Sequence, residues 1–250
     1  VSNKQHVTGN SEPDEYNPEF IRELFKRMSG SYERVNYTTS FGFSLRWRKQ
    51  FLKSIPSTSE SLRIIDLMTG MGETWGPIRS RFPNGELSTL DYSEGMLVHA
   101  RHKNHKSFGD KVIIHHQDLL KNTLLSEYYD VVLSAFGLKT FNTEQIATLA
   151  GEIKRILKPG GRFSLIEVSS PENPVLHGLY KLHLKHIVPV CGQIFLGNPE
   201  EYRMLWKYTE RFGNSNRAAE IFAEAGLKTQ YVSYFGGCAT GITGQKVAAS

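Results

Sequence analysis

The chain has 250 residues, with 30 Lys and Arg against 25 Asp and Glu, 39% hydrophobic residues, 22 Gly, 10 Pro and 2 Cys. That composition describes a folded chain with one sizeable core, hence one large domain or one domain with a long insertion. The net charge of +5 is too small and too dispersed for a nucleic-acid binder but leaves peripheral contact with an anionic membrane open, and no apolar run approaches the ~20 residues of a transmembrane segment.

Residues 1–18 are polar, carry Gly9, Pro13 and Pro18, and lack the apolar core of a signal peptide, so they read as a flexible arm ahead of a single domain over 19–250. Residues 19–56 are helical in pattern. Phe20, Leu24, Phe25 and Met28 recur on one face, and a second segment spans 45–52. The first strand, 62–67, is short, rich in Ile, and runs into the Gly-containing stretch 69–72.

Strand and helix then alternate: a helix through Ile78, a strand 86–90, a helix 94–103, and strands 112–115 and 131–133. Residues 143–157 form a helix with Thr143 as N-cap, Ile146, Leu149, Ile153 and Leu157 on one face, and Pro159-Gly160-Gly161 as its stop. A strand over 163–168 follows. Residues 171–213 are too long for a connector and hold helical stretches at 175–185 and 200–211, which makes them an inserted helical lid. A helix at 216–225 ends at Gly226. Two closing strands, 229–235 and 242–248, are joined closely and must therefore be antiparallel.

Cys191 and Cys238 are far apart with no His or Cys at zinc spacing, so neither a disulfide framework nor a metal site is expected and a cytoplasmic location fits. The run from Asp66 to Glu73 contains Gly70-Met71-Gly72 where the first strand meets a helix, and Asp91 follows Gly70 by the ~20 residues expected of a ribose-binding acid. A G-x-G turn can also simply tighten such a connection. Trp75 occupies the third glycine position of a dinucleotide motif, and the acids Asp66 and Glu73 flank the loop, so phosphates would be poorly served. The pattern suits S-adenosylmethionine, which carries a sulfonium and an ammonium but no phosphate. Asp118, after the third strand, could accept a hydrogen bond from adenine, although alone it reads more readily as a helix or turn cap, and it is the company of Asp66, Gly70, Gly72 and Asp91 at consecutive strand ends that favours the ligand.

With these residues in view, the chain resembles the ubiquinone/menaquinone biosynthesis C-methyltransferase family from about Phe25 to its end. Residues 32–49, reading YERVNYTTSFGFSLRWRK, resemble the family's signature ahead of the sheet. Asp91-Tyr92-Ser93 with Met96, Phe136-Gly137-Leu138, the turn 157–162, His186 with Pro189, and Tyr202-Arg203 are similar as well. The resemblance implies an α/β, Rossmann-like, seven-stranded, mostly parallel sheet with an antiparallel last strand. It implies S-adenosylmethionine as cofactor and S-adenosylhomocysteine as product. Cofactor contacts would come from Tyr32, Asp66, Gly70, Met71, Gly72, Asp91, Tyr92, Met96, Asp118, Leu119, Ser134 and Ala135. Thr69, Met71 and Ala135 stand where the family usually has Gly, Thr and Ser, and Lys139-Thr140 replaces its usual Arg-Asn.

Carbon methylation of a phenolic ring needs an aligned acceptor and a base for the departing proton. Lys139, His186 and Tyr202 are the catalytic candidates. Tyr180 and His183 are alternatives, since Tyr180, His183 and His186 fall at i, i+3 and i+6 of one helix, where they could equally form a packed stripe. The lid's apolar and aromatic content points to a lipophilic or aromatic small molecule. Two other activities fit the same residues less well: O- or N-methylation on the same fold, and a nicotinamide-dependent oxidoreductase. A binding or pericyclic protein that keeps the cofactor fold, and a homodimer, also remain open.

Overall fold

The computed structural model describes residues 16–28, 40, 42–188, 190, 193 and 200–248. Its helices are α1 (Pro18–Met28), α2 (Phe43–Phe51), α3 (Trp75–Arg81), α4 (Glu94–Lys103), α5 (Thr143–Ile156), α6 (Pro174–Leu182), α7 (Glu200–Phe212) and α8 (Asn216–Glu224). The strands are β1 (Arg63–Leu67), β2 (Glu86–Asp91), β3 (Ile113–His116), β4 (Tyr129–Ala135), β5 (Leu157–Val168), β6 (Leu227–Tyr234) and β7 (Ala239–Lys246). They form one sheet of order β3-β2-β1-β4-β5-β7-β6. Strands β3 to β5 run parallel, and β7 is antiparallel to both β5 and β6.

Successive side chains of a strand point to opposite faces, and here each face is covered by helices. Ile64, Val131 and Ile166 pack with Trp47 and Phe51 of α2 and Trp75 of α3. Their neighbours Ile65, Val132 and Leu165 pack with Leu149 and Ile153 of α5 and Phe222 of α8. The chain leaves β1 for β2 on one side and later returns to β4 on the other. This reversal opens a crevice at the carboxyl ends of β1 and β4, where ligands bind in such sheets.

Four local expectations are corrected. Asn142, not Thr143, caps α5: its side chain accepts the Gln145 N–H at 2.9 Å and the Gln145 side chain accepts the Asn142 N–H at 2.9 Å. That reciprocal box satisfies two otherwise unpaired donors, which one Thr could not do. Pro159-Gly160-Gly161 lies inside β5 and does not stop α5. Tyr129 pairs with Leu157 and Val131 with Arg162, so the extra residues form an irregularity, with Gly160 at φ 77°. Strand β7 begins at Ala239, earlier than expected, because Gly241 belongs to it as well as Gly244. A side chain at either would run into the Leu165 or Lys228 carbonyl of the neighbouring strand. Finally, the end of the supposed arm is anchored: Tyr16 packs edge-on against Tyr208 at 6.2 Å, and its carbonyl accepts from Gln145. Residues 1–15 lie outside the described residues.

Asn142→Ala should lower stability by about 1 kcal/mol, read from the urea unfolding midpoint. An unchanged midpoint would remove the capping box from the account.

Candidate active site

The turn after β1 is set by a buried indole. Trp75 is fully buried, and a Cβ on Gly72, at φ 79°, would lie 2.6 Å from its ring. The Trp75 indole N–H donates to Thr69 Oγ1 at 2.7 Å, and that hydroxyl donates to Asp66 Oδ2 at 2.7 Å. Asp66 therefore faces inward, 1% exposed, with Oδ1 lacking a hydrogen-bond partner among the described residues. Burial pushes its carboxyl from 3.8 up to about 7, the charges of Glu73 and Asp91 add to the rise, and Thr69 and Arg48 oppose it.

A cleft of about 130 Å³ opens beyond this turn, walled by Gly70, Glu73, Asp91, Tyr92, Met96, Asp118, Leu119 and Ala135. Seven of these eight were expected to meet the cofactor; Glu73 had been read only as a flanking acid. Asp91 accepts the Gly70 N–H and the Ser93 N–H, each at 2.8 Å, while burial raises its carboxyl against those bonds. Asp118 caps the turn after β3 through the Leu120 N–H at 2.9 Å, and it also lines the cleft. Tyr92 donates to Glu19 of α1 at 2.6 Å. Glu73 stands over Gly70, where a Cβ would sit 3.2 Å from its carboxylate. Of the two arginines on the wall, Arg22 is paired with Glu19 at 2.6 Å.

Asp66, Met71, Gly72 and Ser134 are not on this wall. Asp66 and Gly72 hold the turn from behind, Met71 packs with Leu24, Met96 and Tyr208, and Ser134 Oγ donates to the Leu67 carbonyl at 2.9 Å. Tyr32 lies outside the described residues.

A second cavity, about 350 Å³, adjoins the cleft under α6. Phe43, Trp47, Phe136, Leu176, Leu179, Tyr180 and Phe235 make it apolar, and Arg48, Lys139, His183 and Cys238 add polar points. Arg48 and Phe136 line both spaces and so form the partition, with the guanidinium 4.8 Å from the ring centre. Phe136 sits at φ 69°, a conformation that costs a bulky residue about 1–3 kcal/mol.

The catalytic candidates separate here. Lys139 Nζ lies 2.6 Å from Glu167 Oε1, the Lys139 N–H donates to Glu167 Oε2 at 3.0 Å, and both side chains are buried. It is a fixed ion pair at the end of β4, not a free base. His186 is exposed and off the cavity wall, whereas His183 is on it, stacked with Tyr180 at 6.4 Å. Burial raises the Tyr180 phenol well above its ordinary value, so it is neutral near pH 7. The side chain of Tyr202 lies outside the described residues. The sequence reading missed Glu167 and Arg48. A lone acid in the apolar run 163–168 was the available signal for the first.

A model of the ubiE/COQ5 methyltransferase family matches residues 13–246. The chain belongs to this family. It is therefore an S-adenosylmethionine-dependent methyltransferase with a small-molecule acceptor. The methyltransferase is 29% identical over 222 residues to a demethylmenaquinone methyltransferase of Listeria monocytogenes, covering 88% of this chain and 92% of that one. It is 30% identical over 233 residues to that of Staphylococcus aureus, covering 92% and 94%. Among solved structures, an S-adenosylmethionine-dependent methyltransferase of Thermotoga maritima superposes with TM-score 0.63 at 18% identity, covering 90% of this chain and 99% of that one. Phosphoethanolamine N-methyltransferase 2 of Haemonchus contortus, in complex with S-adenosylmethionine, gives 0.60 at 15% identity, covering 88% and 60%. These two share the fold.

Lys139→Met should cost about 3–5 kcal/mol by stranding the Glu167 charge, and Lys139→Met combined with Glu167→Gln should recover most of it in urea unfolding. Equal losses in both variants would contradict the ion-pair role. Because the folded state holds the Asp66 proton that the unfolded chain releases near 3.8, this residue should destabilise the fold progressively as pH rises from about 4 to about 7. The stability difference between Asp66→Asn and wild type should grow in the variant's favour across that window. A flat difference would refute it.

Proposed function

We propose that this methyltransferase methylates a ring carbon of a lipophilic, quinol-like acceptor, the class named in its relatives. The observation carrying this reading is the meeting of an acid-walled cleft and an aromatic cavity at Arg48 and Phe136. The cleft suits S-adenosylmethionine. Glu73 offers a carboxylate to its cationic groups, no lysine is among the described wall residues, Arg22 there is paired with Glu19, and the bare Gly70 permits close backbone approach. Asp91 would hold the ribose, Asp118 and Leu119 would frame the adenine with Tyr92 and Met96 beside them, Ala135 would close the end of β4, and Tyr32 would reach the methionine portion.

When bound, the cofactor supplies an electrophilic methyl on a sulfonium. The protein's part is alignment: holding the acceptor carbon about 3–3.5 Å away in line can supply about 7–11 kcal/mol of the barrier. The ring carbon gains the methyl and loses a proton, and His183 on the cavity wall replaces His186 as the group to receive it. Such help is worth about 10²- to 10⁴-fold. Lys139 and Glu167 position the turn that carries Phe136.

A lipid-borne acceptor agrees with the cavity's mouth, where Leu179 and Phe235 both line the space and are exposed. Val175, Leu179 and Leu182 form an exposed stripe at i, i+4 and i+7 of α6, with Lys185 beyond. We assign that stripe to peripheral contact with the cytoplasmic face of a membrane instead of a second copy. Among the described residues no helix is long and apolar enough to cross one.

Incubation with a prenylated naphthoquinol lacking the ring methyl should add one methyl group, located on ring carbon by fragmentation. Methylation on oxygen, or none, would refute the reading. Asp91→Asn should weaken S-adenosylhomocysteine binding about tenfold in calorimetry, the loss of one charge-assisted hydrogen bond.

A further inference from the structure

Trp47 and Arg48, neighbours on α2, are 4% and 5% exposed, yet among the described residues Trp47 Nε1 and Arg48 Nε have no hydrogen-bond partner. Buried donors are nearly always satisfied, and most of this protein's follow the rule, Ser93 Oγ being another exception among the described residues. Its other fully buried indole, Trp75, donates to Thr69, and buried Asn104 donates to the Val112 carbonyl. Both orphaned residues line the aromatic cavity, and Arg48 also lines the cofactor cleft. Two vacant donors on side chains of one wall call for an oxygen that no described residue provides.

Charge specifies what kind of oxygen. Lys139, on the same wall, is neutralised by Glu167, whereas no described carboxylate lies within ion-pair distance of the Arg48 guanidinium. Asp66 feels the Arg48 charge but is itself turned into the β1 turn through Thr69. The Phe136 ring lies 4.8 Å from the guanidinium carbon and takes none of its donors in a conventional hydrogen bond, leaving the planar fork for a ligand.

We propose that Trp47 Nε1–H and the Arg48 guanidinium form a binding site for a ring oxyanion, a phenolate or enolate, of the methyl acceptor. The proposal rests on a ring-bearing acceptor occupying this cavity. An oxygen held at Arg48 lies at the opening between cavity and cleft, so the ring carbon beside it faces the incoming methyl. Stabilising the anion raises electron density on that carbon. The carbon's electron pair forms the new C–C bond as the C–S bond breaks, with its own pair staying on sulfur. The proton on the methylated carbon then leaves to a base, which restores the ring.

The test uses 4-nitrophenol, whose ionised and neutral forms absorb at different wavelengths, with 4-nitroanisole as the neutral control. Both are titrated into the full chain saturated with S-adenosylhomocysteine. Nitrophenol should bind as the anion, its ionisation shifted about one pH unit downward, a tenfold preference. Trp47→Phe, which keeps the ring, and Arg48→Lys, which keeps the charge but loses the fork, should each erase most of that shift. Affinity for nitroanisole should change less than about twofold, as expected when only the oxyanion contact is lost. Retained S-adenosylhomocysteine binding by Trp47→Phe shows that the variant is folded. Binding of the neutral form, an unshifted ionisation, variants that behave as wild type, or no binding of either ring would each overturn the proposal. Neutral binding alongside carbon methylation of the naphthoquinol sinks this site and spares the proposed function. Anion binding without that methylation does the reverse.

Discussion

The burial of Trp75 governs the end of the sheet where this methyltransferase works. An indole of that size, fully enclosed behind the first turn, leaves no room for a side chain at position 72 and needs an acceptor for its N–H. Thr69 meets the need and passes the hydrogen bond to Asp66. The loop is thus held from within by a Trp–Thr–Asp chain, and its outer side is left to Gly70, Glu73 and Asp91. A loop of this kind presents negative charge where a dinucleotide site presents bare amides and positive potential. Its choice of a sulfonium cofactor over a phosphate-bearing one is an electrostatic consequence of that packing.

The second fixed point is the Lys139–Glu167 pair. Two charges withdrawn from water are stable only when hydrogen bonds complete their shells, and here the Val168 N–H at 2.7 Å and the Lys139 N–H at 3.0 Å complete Glu167. The pair pins the segment after β4, which carries Phe136 in its strained conformation. Phe136 and Arg48 together divide the crevice into two rooms of different character, one acidic and one aromatic. A cationic donor and an apolar ring can therefore be held side by side without either entering the other's space.

Helix α6 contributes differently. It puts Leu176 and Tyr180 inward and leaves Val175 and Leu182 outward, so one short amphipathic element both lines the cavity and exposes an apolar edge. Phe43 and Phe235 meet at 4.6 Å, bringing α2 and the β6–β7 turn to the same mouth. Segments far apart in the chain converge there.

Sequence by itself determined the alternation of strands and helices, the antiparallel close of the sheet, the glycine turn and the row of acids at successive strand ends. These are local signals: hydrophobic period, turn residues and fixed spacing. Residues on the cleft wall such as Gly70, Asp91 and Asp118 were legible because each ends a strand. Tertiary structure alone decided the rest. Whether His183 or His186 faces the cavity depends on a few tens of degrees of helix rotation, which the i, i+3, i+6 spacing does not set. Lys139 looked reactive because its partner lies 28 residues away on the next strand. Ser134 and Asp66 looked like ligand contacts because their position at strand ends was readable, while the direction of their side chains was not. The unmet donors of Trp47 and Arg48 are visible only once every neighbour has been placed, since an absent hydrogen bond belongs to no single segment of chain.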